Sequence, residues 1–414
     1  MKETRPYNIS KWVVYEAYEK VKANKGSHGI DEQSIKDFEK NLKGNLYKIW
    51  NRMSSGSYFP QPVKAVSIPK KNGGVRILGI PTVADRIAQM TAKLYFEPSV
   101  EPMFHPDSYG YRPNKSALQA IEATRRRCWR RDWVLEFDIK GLFDNIRHDY
   151  LMEMVKRHTQ EQWIILYVQR WLTTPFQMQD GTIKPRTAGT PQGGVISPVL
   201  ANLFLHYTFD SFMVNEYLKA WWARYADDGI VHCKTYDQAV YMRTILSERF
   251  KIMGLELNQE KTRIVYCKDA DRMEDHADIS FDFLGYTFRP RLAKNRHGKI
   301  FVSFLPGMSD KAVIRVKEEV NAWKLQLKAD KHINDIANMF NANIQGWINY
   351  YGRFYKSELI QVLRYINGCI VKWVRRKFKK RKHRRQAEHW LGKIAQRDKF
   401  LFAHWQFGVL PAAG

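Results

Sequence analysis

Cysteine and long apolar runs are scarce in this chain of 414 residues, and both absences exclude classes of protein. The four cysteines stand apart and form no CxxC or Cys/His spacing, which argues against a zinc finger or a zinc-dependent nuclease module. No apolar run approaches the ~18 residues that a membrane span needs, and the N-terminal MKETRPYNISKW lacks the apolar stretch of a secretory signal. We therefore expect no membrane partner and a cytoplasmic protein with reduced thiols.

Acidic residues are also outnumbered. The chain has 68 Lys and Arg against 42 Asp and Glu, a formal net charge of +26. Such a field attracts polyanions and speeds their encounter. A phosphate backbone rewards many Lys and Arg contacts through counterion release. The composition therefore favours a nucleic-acid partner over a small metabolite, in a globular chain long enough for two to three domains.

Three aspartates stand out against this basic background. Asp227 and Asp228 lie in ARYADDGIV between apolar runs, and Asp138 lies in LEFDIKGLFDNI among β-type residues. Mg²⁺ prefers hard oxygen ligands. Two such ions about 3.5–4 Å apart stabilise the attacking and leaving oxygens of an in-line phosphoryl transfer. Two adjacent aspartates alone would indicate a solvated hairpin turn, but a third carboxylate on a second hydrophobic strand favours a site for two Mg²⁺ ions.

The order of predicted elements indicates an α+β protein. Helical periodicity covers residues 9–25, 32–53, 84–101, 115–131, 150–171 and 237–253. β-type sequence surrounds the turns at Asn72-Gly73-Gly74 and Asp180-Gly181, and it recurs at 134–139, 223–233 and 281–288. The segment GTPQGGVISPVLANLFL (189–205) is a Gly/Pro loop that opens an apolar helix. Beyond about residue 307 the pattern is helical only, which places a domain boundary near 305–310.

Positive charge is concentrated towards the C-terminus. Residues 361–414 hold fourteen Lys and Arg and only two acids. A solvated helix face is the alternative, but such faces normally mix signs, whereas residues 372–385 carry ten cations and no acid. Cations with interleaved aromatics are typical of a nucleic-acid surface, and the aromatics here are Trp373, Phe378, Trp390 and Trp405. The cations assigned to nucleic-acid binding are Arg375, Arg376, Lys377, Lys379, Lys380, Arg381 and Lys382.

Several ordered blocks between about residues 20 and 390 resemble a bacterial group II intron-encoded reverse transcriptase and maturase. KGSHGID (25–31) resembles the N-terminal extension, and IPKKNGGVRILGIPTVADRIAQ (68–89) resembles two fingers blocks. The palm blocks are FDIKGLFDNI, GTPQGGVISPVLANLFL, YADD, LELNQEKTRI (255–264) and FDFLGYTF (281–288). GWINYYGRF (346–354) resembles the maturase thumb. YADD alone is a weak match, whereas this many blocks in one order are specific.

The resemblance implies an α+β right-hand polymerase fold, with fingers and palm of antiparallel sheet plus helices and an all-α thumb. The implied domains are an N-terminal extension (1–60), fingers and palm (61–306), a thumb or maturase domain (307–380) and a basic nucleic-acid-binding tail (381–414). Whether this tail binds DNA or RNA stays open. No Cys/His cluster of an HNH endonuclease is present, so the resemblance is to the compact class C members that lack that domain.

The resemblance also implies roles for the aspartates and for one aromatic residue. Asp138 and Asp227 would be the principal metal ligands, Asp228 would complete the catalytic cluster, and the backbone carbonyl of Ile139 would add an oxygen. Phe143 stands five residues after Asp138, at the position of the steric gate that rejects a ribose 2′-OH. A core aromatic is the alternative for Phe143.

Four further residues resemble nucleotide-binding positions. Lys70 and Arg76 flank the Gly-Gly turn and resemble the fingers cations that clamp a triphosphate, with Lys71 as an alternative to Lys70. Gln192, in PQGG, resembles the residue beside the nucleotide and template, where the paired glycines allow close backbone approach. Lys261, in NQEKT, resembles a lysine near the leaving pyrophosphate, and a surface lysine on a loop is its alternative.

The implied function is that of an RNA-directed DNA polymerase that copies intron RNA into cDNA and binds group II intron RNA to assist splicing and mobility. Expected partners are intron RNA, an RNA template with a DNA primer, target DNA and dNTPs, in a bacterial cytoplasm or at its nucleoid. Two alternatives stay open. One is a primarily RNA-binding splicing cofactor, and the other is a domesticated reverse transcriptase in DNA repair or phage defence.

Overall fold

The computed structural model describes residues 6–69 and 74–411, which form two compact units. The first comprises the chain up to Ala120 together with Leu135–Arg263. The second comprises Ile121–Val134 and the chain from Ile264 onwards. The four domains expected from the resemblance remain a prediction beside this division.

The N-terminal part of the first unit is mainly helical. Its longest helix begins at Thr82, whose hydroxyl accepts a hydrogen bond from the Asp85 N–H, as Ser10 does from Trp12 for the first helix. In chain order the elements are α1 (Lys11–Ala23), α2 (Ile35–Glu39), α3 (Leu42–Ser54), β1 (Val63–Pro69), β2 (Val75–Ile80) and α4 (Val83–Val100). The next helix, α5 (Ala117–Cys128), begins in this unit, and its residues from Ile121 onwards belong to the second unit.

The middle of the chain alternates strands and helices. These elements are β3 (Trp133–Asp138), α6 (Leu142–Asn145), α7 (His148–His158), α8 (Gln162–Thr173), β4 (Phe176–Gln177), β5 (Ile183–Lys184), α9 (Ser197–Leu205), α10 (Ser211–Glu216), β6 (Trp221–Tyr225), β7 (Asp228–Cys233), α11 (Tyr236–Ile252) and β8 (Arg263–Tyr266). A π-helical turn, His206–Asp210, joins α9 to α10. The prediction of one helix over 150–171 was wrong, because α7 ends at His158 and α8 starts only at Gln162.

Two four-stranded sheets are formed by the strands from β1 to β8. β1 and β2 pair antiparallel from Lys64↔Ile80 to Pro69↔Val75, which confirms the predicted hairpin, and their sheet has the order β2-β1-β4-β5. The second sheet has the order β6-β7-β3-β8, with β6 and β7 antiparallel. Because β3 lies inside the sheet, five of its six residues are buried.

Aromatic packing fixes this second sheet on the helices behind it. The ring of Phe137, in β3, lies 5.3 Å from that of Phe209 and 5.8 Å from that of Phe250. A Cβ added to Gly229 would lie only 2.1 Å from the Phe137 ring. The glycine that follows the two aspartates therefore makes room for a core aromatic.

The second unit combines a small sheet with helices. Its elements beyond β8 are β9 (Phe281–Phe283), β10 (Tyr286–Lys294), β11 (Ile300–Met308), α12 (Asp310–Ala322), α13 (Ile333–Tyr351), α14 (Ser357–Lys377), α15 (Arg384–Arg397) and α16 (Ala403–Gln406). The three strands form an antiparallel sheet in the order β11-β10-β9. Residues 281–288 were predicted as one strand, and this was wrong, because Leu284 and Gly285 both take positive φ and turn the chain between β9 and β10.

The helices of this unit enclose the C-terminal segment. Asn367, in α14, accepts hydrogen bonds at Oδ1 from Trp405 Nε1 and pairs with His404 Nε2, both at 2.8 Å. Its amide donates to the Val409 carbonyl at 3.0 Å.

The predicted α+β class, with antiparallel sheets followed by helices, is confirmed. Within the described ranges, none of the helices is both long and apolar enough to cross a membrane.

Candidate active site

Asp138 lies at the last residue of β3, where this central strand ends. All residues of the strand except Glu136 are buried, and the Asp138 side chain is itself largely buried. Asn258 holds the residue twice, with its N–H 2.8 Å from the Asp138 carbonyl and its Nδ2 3.3 Å from Oδ2. Sequence reasoning missed Asn258, although it stands three residues before the lysine singled out in NQEKT.

Asp227 lies in the tight turn between β6 and β7, and Asp228 is the first residue of β7. The register pairs Tyr225 with Asp228, which leaves Ala226 and Asp227 as the two turn residues. Ala226 has a φ of +56°, the positive value that two-residue hairpins favour at their first position. The Ile139 N–H donates to the Asp227 carbonyl at 3.1 Å, so the turn is held against the end of β3. The fold thus brings the three predicted aspartates together.

Negative charge is crowded at this junction. Burial, followed by the charges of Asp227 and Asp138, raises the pKa of Asp228 to about 7. The side chains of Asp228 and Asp138 are also within hydrogen-bonding reach of each other. Burial is the main cause that raises the pKa of Asp227, and the charge of Asp138 adds to it. Such shifts arise where carboxylates share a site, and a bound cation would relieve them.

Lys261 already offsets part of this charge. Its Nζ lies 2.9 Å from Asp138 Oδ1, although more than half of the lysine side chain is exposed. Burial opposes its charged form, but the hydrogen bond to Asp138 and the charges of all three aspartates outweigh burial and raise the pKa of Lys261. The alternative of an unrelated surface lysine is therefore weakened, and its role at a leaving pyrophosphate stays a prediction.

A buried polar cluster supports the turn between β6 and β7 on the side of the protein interior. The guanidinium of Arg224, fully buried in β6, pairs with the fully buried carboxylate of Asp210. It also donates to Ser108 Oγ at 2.7 Å and to the Ala226 carbonyl at 3.3 Å. Sequence reasoning missed this cluster. The arginine directly precedes the tyrosine of YADD, but nothing in the pattern of the chain marks Asp210 as its partner.

A cleft of about 930 Å³ opens beside the aspartates. Asp138, Ile139 and Asp227 line one part of it, and Asn258 and Lys261 lie next to them. The same cleft is lined by residues predicted to bind the nucleotide, namely Arg76, Phe143 and Gln192. Its volume is within the range of ligand pockets, roughly 300–1,000 Å³.

Phe143 and Arg76 face this cleft in different ways. Phe143 is half-exposed and meets the Tyr111 ring edge-on at 6.1 Å, whereas the neighbouring Leu142 is the buried residue of α6. The core-aromatic alternative for Phe143 is thereby weakened. Arg76 is exposed on β2, close enough for its charge to favour the ionised form of Asp227. Lys70 and its alternative Lys71 lie outside the described residues.

Gln192 is placed by a close backbone contact between two loops. Its carbonyl accepts from the Gly79 N–H at 2.8 Å, and its Nε2 lies 3.4 Å from Asp144 Oδ2. The next residue, Gly193, has a φ of +117°, and a Cβ there would lie 2.4 Å from the Gly79 carbonyl oxygen. Only glycine fits this approach, in agreement with the predicted need for the paired glycines.

The predicted nucleic-acid cations of the second unit fall into two groups, those whose side chains contact other residues of the unit and those whose side chains are exposed. Lys377 donates to the carbonyls of Ala329 and Lys331 at 2.8 and 2.7 Å, and Arg375 donates to the Lys382 carbonyl at 2.8 Å. Arg381 lies 5.1 Å over the Phe378 ring. The remaining side chains are exposed, namely Arg376, Lys379, Lys380 and Lys382. Their binding of nucleic acid remains a prediction.

The prediction that the four aromatics of this region belong to a nucleic-acid surface was wrong for two of them. Trp373 and Trp405 are each only 1% exposed, because their rings pack in the helical core. The indole of Trp373 donates to the Lys328 carbonyl at 2.8 Å. Phe378 and Trp390 are half-buried and contact each other, with ring centroids 5.0 Å apart. The sequence pattern did not distinguish core tryptophans from surface aromatics.

Comparison with known proteins identifies the family. The model for reverse transcriptase (RNA-dependent DNA polymerase) matches residues 68–288, and that for the group II intron maturase-specific domain matches residues 313–390. The chain belongs to the reverse transcriptase family. The predicted resemblance to group II intron reverse transcriptases and maturases is thereby confirmed, and the predicted right-hand polymerase architecture agrees with this membership.

Curated relatives extend this assignment. Group II intron-encoded protein LtrA of Lactococcus lactis subsp. cremoris is 33% identical over 210 residues, 50% of this chain and 34% of LtrA. Protein YkfC of Escherichia coli (strain K12) is 30% identical over 329 residues, 69% of this chain and 82% of YkfC. The chain thus spans about a third of the length of LtrA. A solved telomerase from Candida albicans, in complex with a telomeric RNA fragment, aligns at a TM-score of 0.46 and 12% identity over 91% of this chain and 68% of that one.

Proposed function

We propose that this chain is an RNA-directed DNA polymerase that copies group II intron RNA into cDNA. The observation that carries the proposal is the meeting of Asp138, from β3, with Asp227 and Asp228, from the β6–β7 turn, beside a nucleotide-sized cleft. In the reaction, a primer 3′-OH attacks the α-phosphate of a dNTP, and pyrophosphate leaves. The protein contributes positioning and charge stabilisation to this displacement.

The donor set of the site fits divalent cations, which reverse transcriptases generally use. Three carboxylates supply the hard oxygens that Mg²⁺ prefers, and burial together with the neighbouring carboxylates raises the pKa values of Asp227 and Asp228, which a bound cation would oppose. Among the described residues, no group of three or more acidic, histidine or cysteine side chains is already arranged as a metal cage. Asp138 and Asp227 would hold two Mg²⁺ ions, with Asp228 and the Ile139 carbonyl completing the set. Bound there, the ions would stabilise the attacking and leaving oxygens.

Residues around the cleft position the nucleotide. Arg76, together with Lys70, clamps the triphosphate through charge-assisted hydrogen bonds. Phe143 lies under the sugar and rejects a ribose 2′-OH by steric contact. Gln192 orients the nucleotide against the template, and Lys261 neutralises the leaving pyrophosphate. These roles agree with the positions of Arg76, Phe143, Gln192 and Lys261, which all line the cleft. Lys70 lies outside the described residues.

Primer extension on an RNA template with an annealed DNA primer, Mg²⁺ and dNTPs tests the proposal. We expect long cDNA from the wild-type chain and none from Asp227→Ala. Asp237→Ala is the matched control, because Asp237 is an exposed aspartate in the first turn of α11. Undiminished extension by Asp227→Ala would overturn the assignment.

A second function is favoured by the match of residues 313–390 to the maturase-specific domain. In this role the chain binds group II intron RNA and assists splicing, with target DNA as a later partner, in the bacterial cytoplasm or at the nucleoid. The exposed cations between Arg376 and Lys382 suit such an RNA. Splicing of the cognate intron at low Mg²⁺ in the presence of Asp227→Ala protein separates the two functions. Preserved rescue is expected, and failure of the wild-type protein to stimulate splicing would refute the maturase role.

A further inference from the structure

Strands β10 and β11 form an antiparallel ribbon that extends past the core it covers. Its register runs from Tyr286↔Met308 at the base to Lys294↔Ile300 at the outer end. The base is anchored, because Phe288 and Phe304 are fully buried and Trp129 Nε1 donates to the Phe304 carbonyl at 3.1 Å. Beyond it, every residue from 294 to 301 is exposed. The outer end of the ribbon therefore stands in solvent on a rigid base.

Within its own two strands and turn, the ribbon carries positive charge without acid. A segment that contacts the ribbon carries the acids Asp269 and Asp271, which flank Ala270, whose N–H donates to the Val302 carbonyl at 3.1 Å. No Asp or Glu occurs from residue 283 to 309, a stretch that holds five Lys and Arg. Two of these cations are neutralised at the base, where Arg291 and Arg289 both pair with Glu358. The other three are at the exposed outer end, beside His297, and they are Lys294, Arg296 and Lys299.

The turn that presents these cations is ordered by its own hydrogen bonds. The Asn295 N–H donates to the Lys299 carbonyl at 3.0 Å. The side-chain Oδ1 of Asn295 accepts from the N–H groups of His297 and Lys299 at 2.9 and 3.0 Å. The cations are thus displayed on a fixed turn, which lowers the entropy that binding would cost.

On one face of the ribbon, apolar side chains continue beyond the buried base and are exposed at the outer end. Cross-strand partners share a face, and that face alternates along each strand. The pairs Leu292↔Val302 and Lys294↔Ile300 therefore lie on the same face as buried Phe288 and Phe304. Leu292 and Ile300 are each 64% exposed. Apolar side chains next to cations on one turn suit a ligand with phosphates on its outside and thymine methyl groups exposed in its groove.

We propose that the outer end of this ribbon, residues 292–302, docks in the major groove of double-stranded DNA. That groove is about 12 Å wide and about 8.5 Å deep and admits a two-stranded ribbon. At about 3.3 Å per residue, the last three residue pairs and the turn are long enough to enter it. The cations at the turn contact phosphates, and Leu292 and Ile300 contact thymine methyl groups. The deep, narrow major groove of A-form RNA does not admit such a ribbon.

This inference goes beyond the proposed polymerase function and does not depend on it. Fluorescence anisotropy with a labelled, blunt DNA duplex of about 20 base pairs tests it without template, nucleotides or Mg²⁺. The full-length double variant Arg296→Ala/Lys299→Ala is compared with Lys234→Ala/Lys251→Ala, which removes two exposed charges far from the ribbon in sequence. We expect about tenfold weaker binding for the ribbon variant and a salt dependence shallower by about two phosphate contacts. Equal affinities of the two variants would overturn the proposal.

Cross-linking identifies the occupant directly. A photoreactive phenylalanine analogue replaces His297 in one protein and Lys251 in a control, and each is irradiated with duplex DNA or duplex RNA of the same sequence. Cross-links from position 297 to DNA, stronger than to RNA and absent from position 251, support the assignment. Equal or stronger cross-linking to RNA, or capture of a second copy of this chain from position 297, contradicts it.

Discussion

The guanidinium of Arg224 and the carboxylate of Asp210 form a fully buried ion pair with two parallel hydrogen bonds. Nε lies 2.9 Å from Oδ1 and Nη2 lies 2.8 Å from Oδ2. The same guanidinium reaches the Ala226 carbonyl, in the turn that carries Asp227. A buried charge that loses its partner is costly, because solvent cannot replace the lost interaction. The turn that carries the proposed catalytic carboxylates is therefore supported by a cluster that must stay complete.

Removing one member of the pair should destabilise the chain more than removing both. Asp210→Ala leaves the Arg224 charge buried, so we expect the free energy of unfolding to fall by about 3–5 kcal/mol. The double variant Arg224→Met/Asp210→Ala should lose less than Asp210→Ala alone. Urea unfolding followed by tryptophan fluorescence measures both values. A double variant less stable than Asp210→Ala would contradict the interpretation of the pair.

The close approach of Gly193 to Gly79 predicts a steric effect on nucleotide binding. Gly193→Ala places a Cβ against the Gly79 carbonyl and moves the loop that carries Gln192. We expect the KM for dNTP to rise about tenfold or more, since a displacement near 1 Å can cost up to about 10²-fold. Gly368→Ala is the control, because open space surrounds this residue inside α14. It should keep normal extension and add about 0.5–1 kcal/mol of stability.

Phe143 should control sugar selection. Phe143→Val removes the ring from the wall of the cleft, so a ribose 2′-OH no longer meets it. We expect the preference for dNTP over rNTP, as the ratio of kcat/KM values, to fall about tenfold or more. Leu142→Ala, at the buried neighbour, should lower stability instead and leave the ratio unchanged. An unchanged ratio in Phe143→Val would refute the steric gate.

His404 should make the second unit sensitive to acid. Burial lowers the pKa of His404 to about 3, whereas an unfolded histidine titrates near 6.5. Between these values the unfolded state binds more protons, so stability is complete above about pH 6.5 and falls below it by about 1.4 kcal/mol per pH unit. His404→Gln keeps a donor for Asn367 without this titration. Thermal unfolding from pH 7 to pH 5 should show a weaker acid dependence in the variant, and equal slopes would contradict this account.

Local patterns in the sequence were enough to predict the strands that carry the three aspartates and the meeting of these aspartates. Asp138 is the last residue of a β-type segment in which Glu136 is the only other charged residue, and Asp227 lies between two further β-type segments, so each acidic group coincides with the end of a predicted strand. The turn at Leu284 and Gly285 was missed because both neighbouring segments are β-type and the break is only two residues long.

Partners distant in sequence could not be predicted. Asp210 and Ser108 both bond Arg224, yet each lies in a segment with no distinguishing pattern. The tryptophans of the basic segment were misassigned for a related reason. Trp373 is on the buried face of α14, and this face becomes visible only when the neighbouring helices and the C-terminal segment are in place.

The most direct test of the central claim is the rate of single-nucleotide addition by variants of each aspartate. Asp138→Asn, Asp227→Asn and Asp228→Asn are compared with Asp237→Asn on the same RNA template and DNA primer across a Mg²⁺ titration. The account predicts at least about 10²-fold slower addition for Asp138→Asn and Asp227→Asn, a smaller loss for Asp228→Asn, and a normal rate for Asp237→Asn. If Asp138→Asn or Asp227→Asn added nucleotides at a near-normal rate at even one Mg²⁺ concentration of the titration, nucleotide addition would not depend on that aspartate, and the account would be contradicted.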